Sequence, residues 1–454
     1  MKRRSFIKAS VVAGLGIPAS CHAVPFSAVS EAVGRRVFAH YMLAWPRGGK
    51  DATIDQYESE IRDALSAGID GFALNCGGWN ASEPYYKARA LTIYAAAERF
   101  DGRFKLFVSA DGKAQDELED IVSTVRELRA QWKIDGRPVV SSYALGGKYG
   151  ERCRSMIETA RALGVYFIPH FVPSTGEREI SANEAAEIVR RLGPAEGFFY
   201  FGAAGDPALI DRSTRTLAAA LGVSGKRFMA PVTPYYRGRP EGTNYRAFES
   251  HGFAGMAREW RAAIESNATW VQIVTWNDWA ESTYVAPVGA ARTEVVYDKR
   301  FGPILNHEGY LQASRYFIEW FKSGTRPAIV RDEIFFFYRL HPTPVNYPGI
   351  SFVASNVLAA PKMPQERLID RIFVTVFLTR PAMLAIRQTD SIERRPLRAG
   401  ISFVDVGSVV GVPVFSIERD GRSVVNAAGE LAITRDDFSS RYNYYSGWAS
   451  GDLQ

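Results

Sequence analysis

Along the chain, apolar residues switch repeatedly between a two-residue alternation and a helical three-to-four-residue spacing, which divides the first part into strands and helices taken in turn. Val37–Met42 reads as a strand, and Ile54–Ala67, with Tyr57, Ile61, Ala64 and Leu65 on one face, as a helix ended by Gly68. Strand Gly71–Leu74 then precedes helix Lys87–Phe100, strand Lys105–Ser109 a long helix Gln115–Trp132, and strand Pro138–Ser142 helix Glu151–Leu163. Four more pairs follow: Val165–His170 with Ala182–Leu192, Gly197–Phe201 with Ala208–Leu221, Arg227–Pro231 with Phe253–Ser266, and Val271–Thr275 with Gly309–Lys322. Eight such units in about 290 residues are what a (β/α)8 TIM barrel requires, so residues 34–325 are expected to form one, with the site on the loops after the strands.

From Gly324 the texture changes, and Pro327 marks a boundary. Short β-type runs at Glu333–Arg339, Arg371–Leu378, Met383–Arg387, Gly400–Val404 and Val412–Ile417, with a hairpin signal at Asp420-Gly421, predict a β-sandwich-like C-terminal domain over residues 326–454. It carries no catalytic constellation, and packing is expected of it ahead of sugar binding. The aromatic segment Tyr442–Trp448 is expected to dock on the barrel.

Composition changes this picture at the N-terminus. The first residues, MKRRSFIK, precede a short apolar run from Ala9 to Ala19, too short to span a bilayer, and together they resemble a twin-arginine export signal cleaved after Ala23. Residues 1–23 are therefore set aside as a signal, with a periplasmic or extracellular destination and no stable membrane insertion afterwards. Cys21 keeps a lipid anchor open as the lesser alternative. The segment holds four basic residues and no acidic one, so the formal charge of +6 falls to +2 without it. No dense basic stripe with interleaved aromatics remains, which argues against nucleic acid. Cys76 and Cys153 are too few for a disulfide framework, although one bridge is open, and the absence of CxxC or HExxH spacing leaves a metal or other cofactor without support.

The chemistry gathers after the eighth strand, in Val271–Pro287, VQIVTWNDWAESTYVAP. Asp278 and Glu281 are the candidate catalytic pair, because glycoside hydrolysis uses two carboxyl groups and a spacing of three brings both to one pocket. Trp276, Asn277, Trp279 and Tyr284 beside them are candidate sugar contacts, the indoles as flat apolar platforms. Ends of other strands add His40, Tyr41, Asn75, Cys76, Asp111, Tyr143, His170, Tyr200, Tyr235 and Tyr236, most of them expected to face one bowl. A capping role for Asp111 and structural roles for the two histidines stand beside this reading.

Several segments together resemble glycoside hydrolase family 71, the endo-1,3-α-glucanases or mutanases: VFAHYM from Val37, AGIDGFALN from Ala67, MAPVTPY from Met229, TWNDWAES from Thr275 and IFFFYRLHP from Ile334. The resemblance runs from about Arg36 to the C-terminus. It implies a TIM barrel, inversion of configuration, no metal, and α-1,3-glucan as the polysaccharide or oligosaccharide substrate, with the family's acids on Asp278 and Glu281. By analogy with the similar signature of the endo-α-mannosidases of family 99, Glu281 is the general acid and Asp278 the base. Trp279 and Ala280 depart from the usual Tyr and Gly of the signature, Ser141-Ser142-Tyr143 lacks an acid, and Phe199-Tyr200-Phe201 lacks a Trp. These departures keep two alternatives open: an endo-hydrolase of another α-glycan such as α-mannan, and a non-hydrolytic carbohydrate-binding barrel.

Overall fold

The computed structural model describes residues 34–143, 151–171, 178–238, 247–289, 304–341, 368–435 and 442–452; the expected signal, residues 1–23 with Cys21, lies outside them. Eight strands, β1 (Arg36–Met42), β2 (Gly71–Cys76), β3 (Lys105–Ala110), β4 (Arg137–Ser142), β5 (Tyr166–Pro169), β6 (Gly197–Phe199), β7 (Arg227–Val232) and β8 (Trp270–Ile273), form one parallel sheet. Between and after them come α1 (Ile54–Ser66), α2 (Tyr86–Glu98), α3 (Leu118–Val125), α4 (Glu151–Ala162), α5 (Ala182–Leu192), α6 (Pro207–Val223), α7 (Phe253–Glu265) and α8 (Glu308–Ser323). Local chemistry sets several starts. Thr53 and Gln56 make a capping box on α1, Ser181 and Glu184 do so on α5, and Pro207 follows the Asp206 cap of α6.

Hydrogen-bonded neighbours run β6-β7-β8-β1-β2-β3-β4-β5. The sheet is strongly curled, because His40 of β1 lies 6.2 Å from the ring of Phe199 on β6 and 6.4 Å from Tyr143 just past β4, neighbours on opposite sides of the strand order. Between β5 and β6 no strand ladder forms among the described residues. Glu196 ties that seam instead, its N–H donating to Phe167 O at 3.1 Å and its Oε2 accepting from Phe167 N–H at 2.8 Å, and His170 Nδ1 bonds Phe199 O at 2.9 Å. Close strand approach fixes Gly71, where a Cβ would sit 1.9 Å from Lys105 O.

Side chains alternate across the sheet. Val37, Ala39 and Tyr41 of β1, like Val271 and Ile273 of β8, enter the core shared with the helices, whereas Phe38, His40, Trp270 and Gln272 face the concave side. The long helix expected over Gln115–Trp132 is shorter. A 3-10 turn (Gly112–Asp116) leads into α3, and beyond Val125 the chain turns back. Leu106 N–H donates to Ala130 O at 2.9 Å, and Trp132 N–H to Leu106 O at 2.8 Å. This pairing sends the Trp132 ring onto the concave side, 4.5 Å from Phe38, 5.7 Å from Phe107 and 4.7 Å from Trp270. The seat for that indole outweighs the helical spacing of Leu128 and its neighbours.

The C-terminal strands are β9 (Glu333–Arg339), β10 (Arg371–Leu378), β11 (Ala382–Gln388), β12 (Ser391–Leu397), β13 (Gly400–Gly407), β14 (Val414–Arg419), β15 (Arg422–Ala428) and β16 (Tyr444–Ser450). They make two four-stranded antiparallel sheets, β13-β10-β9-β16 and β12-β11-β14-β15. Asp420 and Gly421, at φ 51° and 73°, form the expected hairpin between β14 and β15. The first sheet is buried on both faces: Phe335 and Phe337 of β9 pack with the helices, while Ile334, Phe336 and Tyr338 join Ile386, Phe415 and Ile417 of the second sheet. Each such fully buried side chain contributes roughly 1.5–3 kcal/mol.

Candidate active site

Strand β8 ends at Ile273, two residues earlier than its periodicity suggests, and the Val274–Thr275 peptide is cis. The segment that follows folds back on itself. Thr275 N–H donates to Thr283 O at 2.8 Å, the two threonine hydroxyls lie 3.1 Å apart, and Ala286 N–H donates to Trp276 O at 2.9 Å. Inside this turn, Asp278 N–H donates to Thr275 Oγ1 at 2.8 Å, and Asp278 Oδ1 accepts the Glu281 N–H at 3.0 Å. One hydrogen bond therefore couples the positions of the two acids. Asp278 is buried and Glu281 half-buried. Glu281 Oε1 also accepts from Tyr236 Oη at 3.3 Å, and its carbonyl accepts from Arg237 N–H at 2.9 Å, so the chain after β7 braces the same turn.

The residues beside the acids act mostly as clamps. Trp276 is fully buried between the sheet and α1, its Nε1 donating to Glu60 Oε2 at 2.7 Å, while Tyr41 Oη donates to Glu60 Oε1 at 2.8 Å. Tyr41 follows His40 on a strand, so the two cannot share a face, and the structure turns Tyr41 and Trp276 toward α1 rather than the bowl. Tyr200 likewise sits fully buried in the helix-side core, opposite in direction to Phe199. Asn277 ties the chain after β1: its Oδ1 accepts from Met42 N–H at 2.7 Å, and its Nδ2 donates to Met42 O at 3.1 Å and Trp45 O at 2.8 Å. Trp279, 3% exposed, donates Nε1 to Trp45 O at 2.9 Å and packs on the buried ring of Tyr284 at 4.8 Å. Tyr235 is buried too, its hydroxyl donating to Tyr442 O at 3.0 Å. These rings are unavailable as open platforms in this arrangement.

On the concave side the structure does bring His40 and His170 together, with Tyr143 and Phe201 over them. Tyr143 stacks on His170 at 5.5 Å and meets Phe201 edge-on at 4.7 Å, and Phe201 lies 5.4 Å from His40. Burial is the main reason both imidazoles stay neutral, pulling His40 down to about 3, with His170 nearby adding to the effect, and His170 down to about 4. Tyr143 is half-buried. A cup results, with aromatic edges and neutral imidazoles beneath. Trp276 N–H donates to His40 O at 2.7 Å, so the acid-bearing turn begins beside it. Asn75 and Asp111 lie at the ends of adjacent strands; burial raises the Asp111 carboxyl above its usual range, while the Asn75 amide and the Gly112 N–H oppose the shift. Asp111 directly precedes the 3-10 turn.

Two participants were not among the sequence candidates. Phe201 follows Phe199 by two, the strand signal that would place both inward. Glu60 is an acid on the apolar face of α1 defined by Tyr57, Ile61 and Ala64. Burial raises its carboxyl above the usual range, opposed by Arg47 and by the Trp276 and Tyr41 donors. Cys76 and Cys153 are both buried free thiols, so the bridge left open by the sequence is not formed. Among the described residues, no group of three or more His, Cys, Asp or Glu is placed to hold a metal ion, and no helix is long and apolar enough to cross a membrane.

With this geometry in hand, the sequence profile of glycosyl hydrolase family 71 matches residues 33–452. A mutanase of Penicillium rubens is 26% identical over 438 residues, spanning 93% of this chain and 90% of that protein. The glucan endo-1,3-α-glucosidase agn1 of Schizosaccharomyces pombe is 23% identical, spanning 90% of this chain and 93% of that protein. Among solved structures, a GH99 endo-α-mannosidase from Bacteroides thetaiotaomicron is 16% identical with a TM-score of 0.49, covering 63% of this chain and 98% of that one.

Proposed function

This chain belongs to glycosyl hydrolase family 71 and is a glycoside hydrolase, and from that premise we propose that it is an exported, endo-acting, inverting hydrolase of α-1,3-glucan. Residues 34–325 would carry the chemistry as a (β/α)8 barrel, with 326–454 as a β-rich accessory part and residues 1–23 as a twin-arginine-type signal. The observation that carries the reading is the turn from Thr275 to Thr283, in which a hydrogen bond from the Glu281 N–H to Asp278 Oδ1 sets the two acids side by side. Two fungal relatives named for 1,3-α-glucan or mutan cleavage, each matched over nine-tenths of its length, supply the substrate.

Within this reading Asp278 is the base. The Glu281 N–H at 3.0 Å holds its Oδ1 in place, as a base that must be aimed at a water requires. Glu281, half-buried, is the acid that protonates the departing oxygen, by analogy with the family 99 signature. An inverting pair needs room for that water between carboxyl groups about 6.5 to 9.5 Å apart. The cup of His40, Tyr143, His170 and Phe201 offers edges and faces for a sugar ring, with Asn75 and Asp111 as polar contacts. A panel of polysaccharides tests the proposal. Release of oligosaccharides from alkali-solubilised α-1,3-glucan, with the β-anomer first by proton NMR, is expected; release from α-mannan alone would transfer the site to another α-glycan, and no product from any α-glycan would leave a binding protein.

A further inference from the structure

The C-terminal strand β16 reaches back to both loops that hold Glu281. Asn443, buried just before β16, donates Nδ2 to Tyr284 Oη at 3.1 Å, and Tyr284 Oη donates onward to Leu305 O at 2.6 Å. Asn443 Oδ1 lies 3.0 Å from His307 Nε2, as does Tyr444 O, and the other ring nitrogen of His307 lies 2.9 Å from the Tyr284 carbonyl. The His307 and Tyr284 rings stack at 4.1 Å and 12°. Tyr284 in turn packs on Trp279, inside the acid-bearing turn. On the other side, Tyr442 O accepts from Tyr235 Oη, whose neighbour Tyr236 donates to Glu281. Arg339 of β9 stacks on Tyr444 at 4.1 Å and pairs with Glu249 at 3.0 Å, both ends of the ion pair being buried.

We infer that Asn443 is a positioning residue for the acid pair, acting through Tyr284 and His307, so that the β-rich C-terminal part is built into the active site rather than appended to it. A detachable glycan-binding module would present flat aromatic rings to solvent. Among the described residues of this part, the exposed large apolar side chains are aliphatic apart from Phe403. Around its last strand, Tyr442, Tyr444 and Tyr445 are instead turned inward, each no more than 2% exposed, and Trp448 is half-buried. Removing the Asn443 amide takes away one of the two partners of the Tyr284 hydroxyl and one of the two at His307 Nε2, directly behind Trp279, and a shift of about 1 Å in the acids costs about 100-fold.

The inference rests on the proposed hydrolase reading, so its test has a structural arm as well as a kinetic one. In full-length protein, Asn443→Leu is expected to lower kcat on soluble α-1,3-glucan by about 10- to 100-fold with KM within about 3-fold. A crystal structure of the variant should show residues 276–286 displaced while β1 to β8 stay in place. Asn443→Asp, which keeps the oxygen facing His307, should recover part of kcat. Val424→Ala, on the exposed face of β15, is the control and should match wild type. A folded Asn443→Leu protein with wild-type kcat, or with loss only in proportion to its unfolded fraction, overturns the inference, as does an undisplaced turn. If wild type proves inactive on every glucan, the substrate reading fails while the displaced turn still decides the positioning role.

Discussion

The two ends of the concave side of the curled sheet differ in kind. At the end where the strands begin, Phe38, Phe107, Trp132 and Trp270 close the interior with rings 4.5 to 5.7 Å apart. Where the strands finish, the same surface carries His40, His170, Gln272 and Ser109, with Tyr143 and Phe201 above them. Among the described residues, Ser109 Oγ and Gln272 Oε1 are buried there without a hydrogen-bond partner, as is Trp270 Nε1 at the aromatic end. Each such group costs about 1–3 kcal/mol, so both ends carry some of that cost. What separates them is chemistry: one end packs rings on rings, and the other gathers hydroxyl, amide and imidazole groups that a ligand can bond.

Substitutions separate the two ends, and the largest effect belongs to the acids. Asp278→Asn and Glu281→Gln should each lower turnover by several orders of magnitude, about 4 kcal/mol or more of barrier, with thermal unfolding little changed; near-normal turnover in either variant removes that residue from the mechanism. Phe107→Ala reverses the pattern. It should cost about 3–5 kcal/mol of stability in urea unfolding while leaving KM and the pH profile of the folded fraction as in wild type. Glu60→Gln lies between. It keeps one acceptor for the two donors from Tyr41 and Trp276, so kcat/KM should fall by about tenfold and stability by about 1–3 kcal/mol. A stability loss with unchanged kcat/KM would place Glu60 with the plug.

How much of this was legible in the sequence depended on how far apart the partners lie. Periodicity found all eight strand–helix pairs, and α5, β9 and β10 carry the bounds it assigned. It failed at Gln115–Trp132, where the extended pairing of Ala130–Trp132 with Leu106 was a tertiary demand. It also passed over β12, whose mostly exposed residues, SIERRPL, lack an apolar rhythm. The pairing of Asp278 with Glu281 was readable because both belong to one contiguous turn. Glu60 and Trp276 meet across 216 residues, Tyr284 and Asn443 across 159, and no local spacing announces such contacts. Adjacent side chains taken together as site residues, such as His40 with Tyr41, ignored the alternation that sends one of them to the helices.

The smallest expected effect concerns the cost of the polar end as acidity rises. His170 is neutral in the folded protein because burial pulls its pKa down to about 4, whereas in the unfolded chain it titrates near 6.5. Between those values the unfolded state takes up a proton that the folded state refuses, so stability from this group is complete above about pH 6.5 and drains away as pH falls toward 4. The slope is on the order of 1.4 kcal/mol per pH unit. His40, lowered to about 3, and His307, lowered to about 4, contribute in the same direction, while the buried acids Glu60 and Glu259, both raised, oppose it because the folded state holds their protons. The difference between two proteins isolates one group. In His170→Asn, whose amide can still donate to Phe199 O, stability measured by urea unfolding at pH 7, 6 and 5 should fall less steeply than in wild type by about that slope. Parallel curves would mean that His170 is protonated in the folded protein, and the cup beneath Tyr143 would then hold a cation in place of a neutral imidazole.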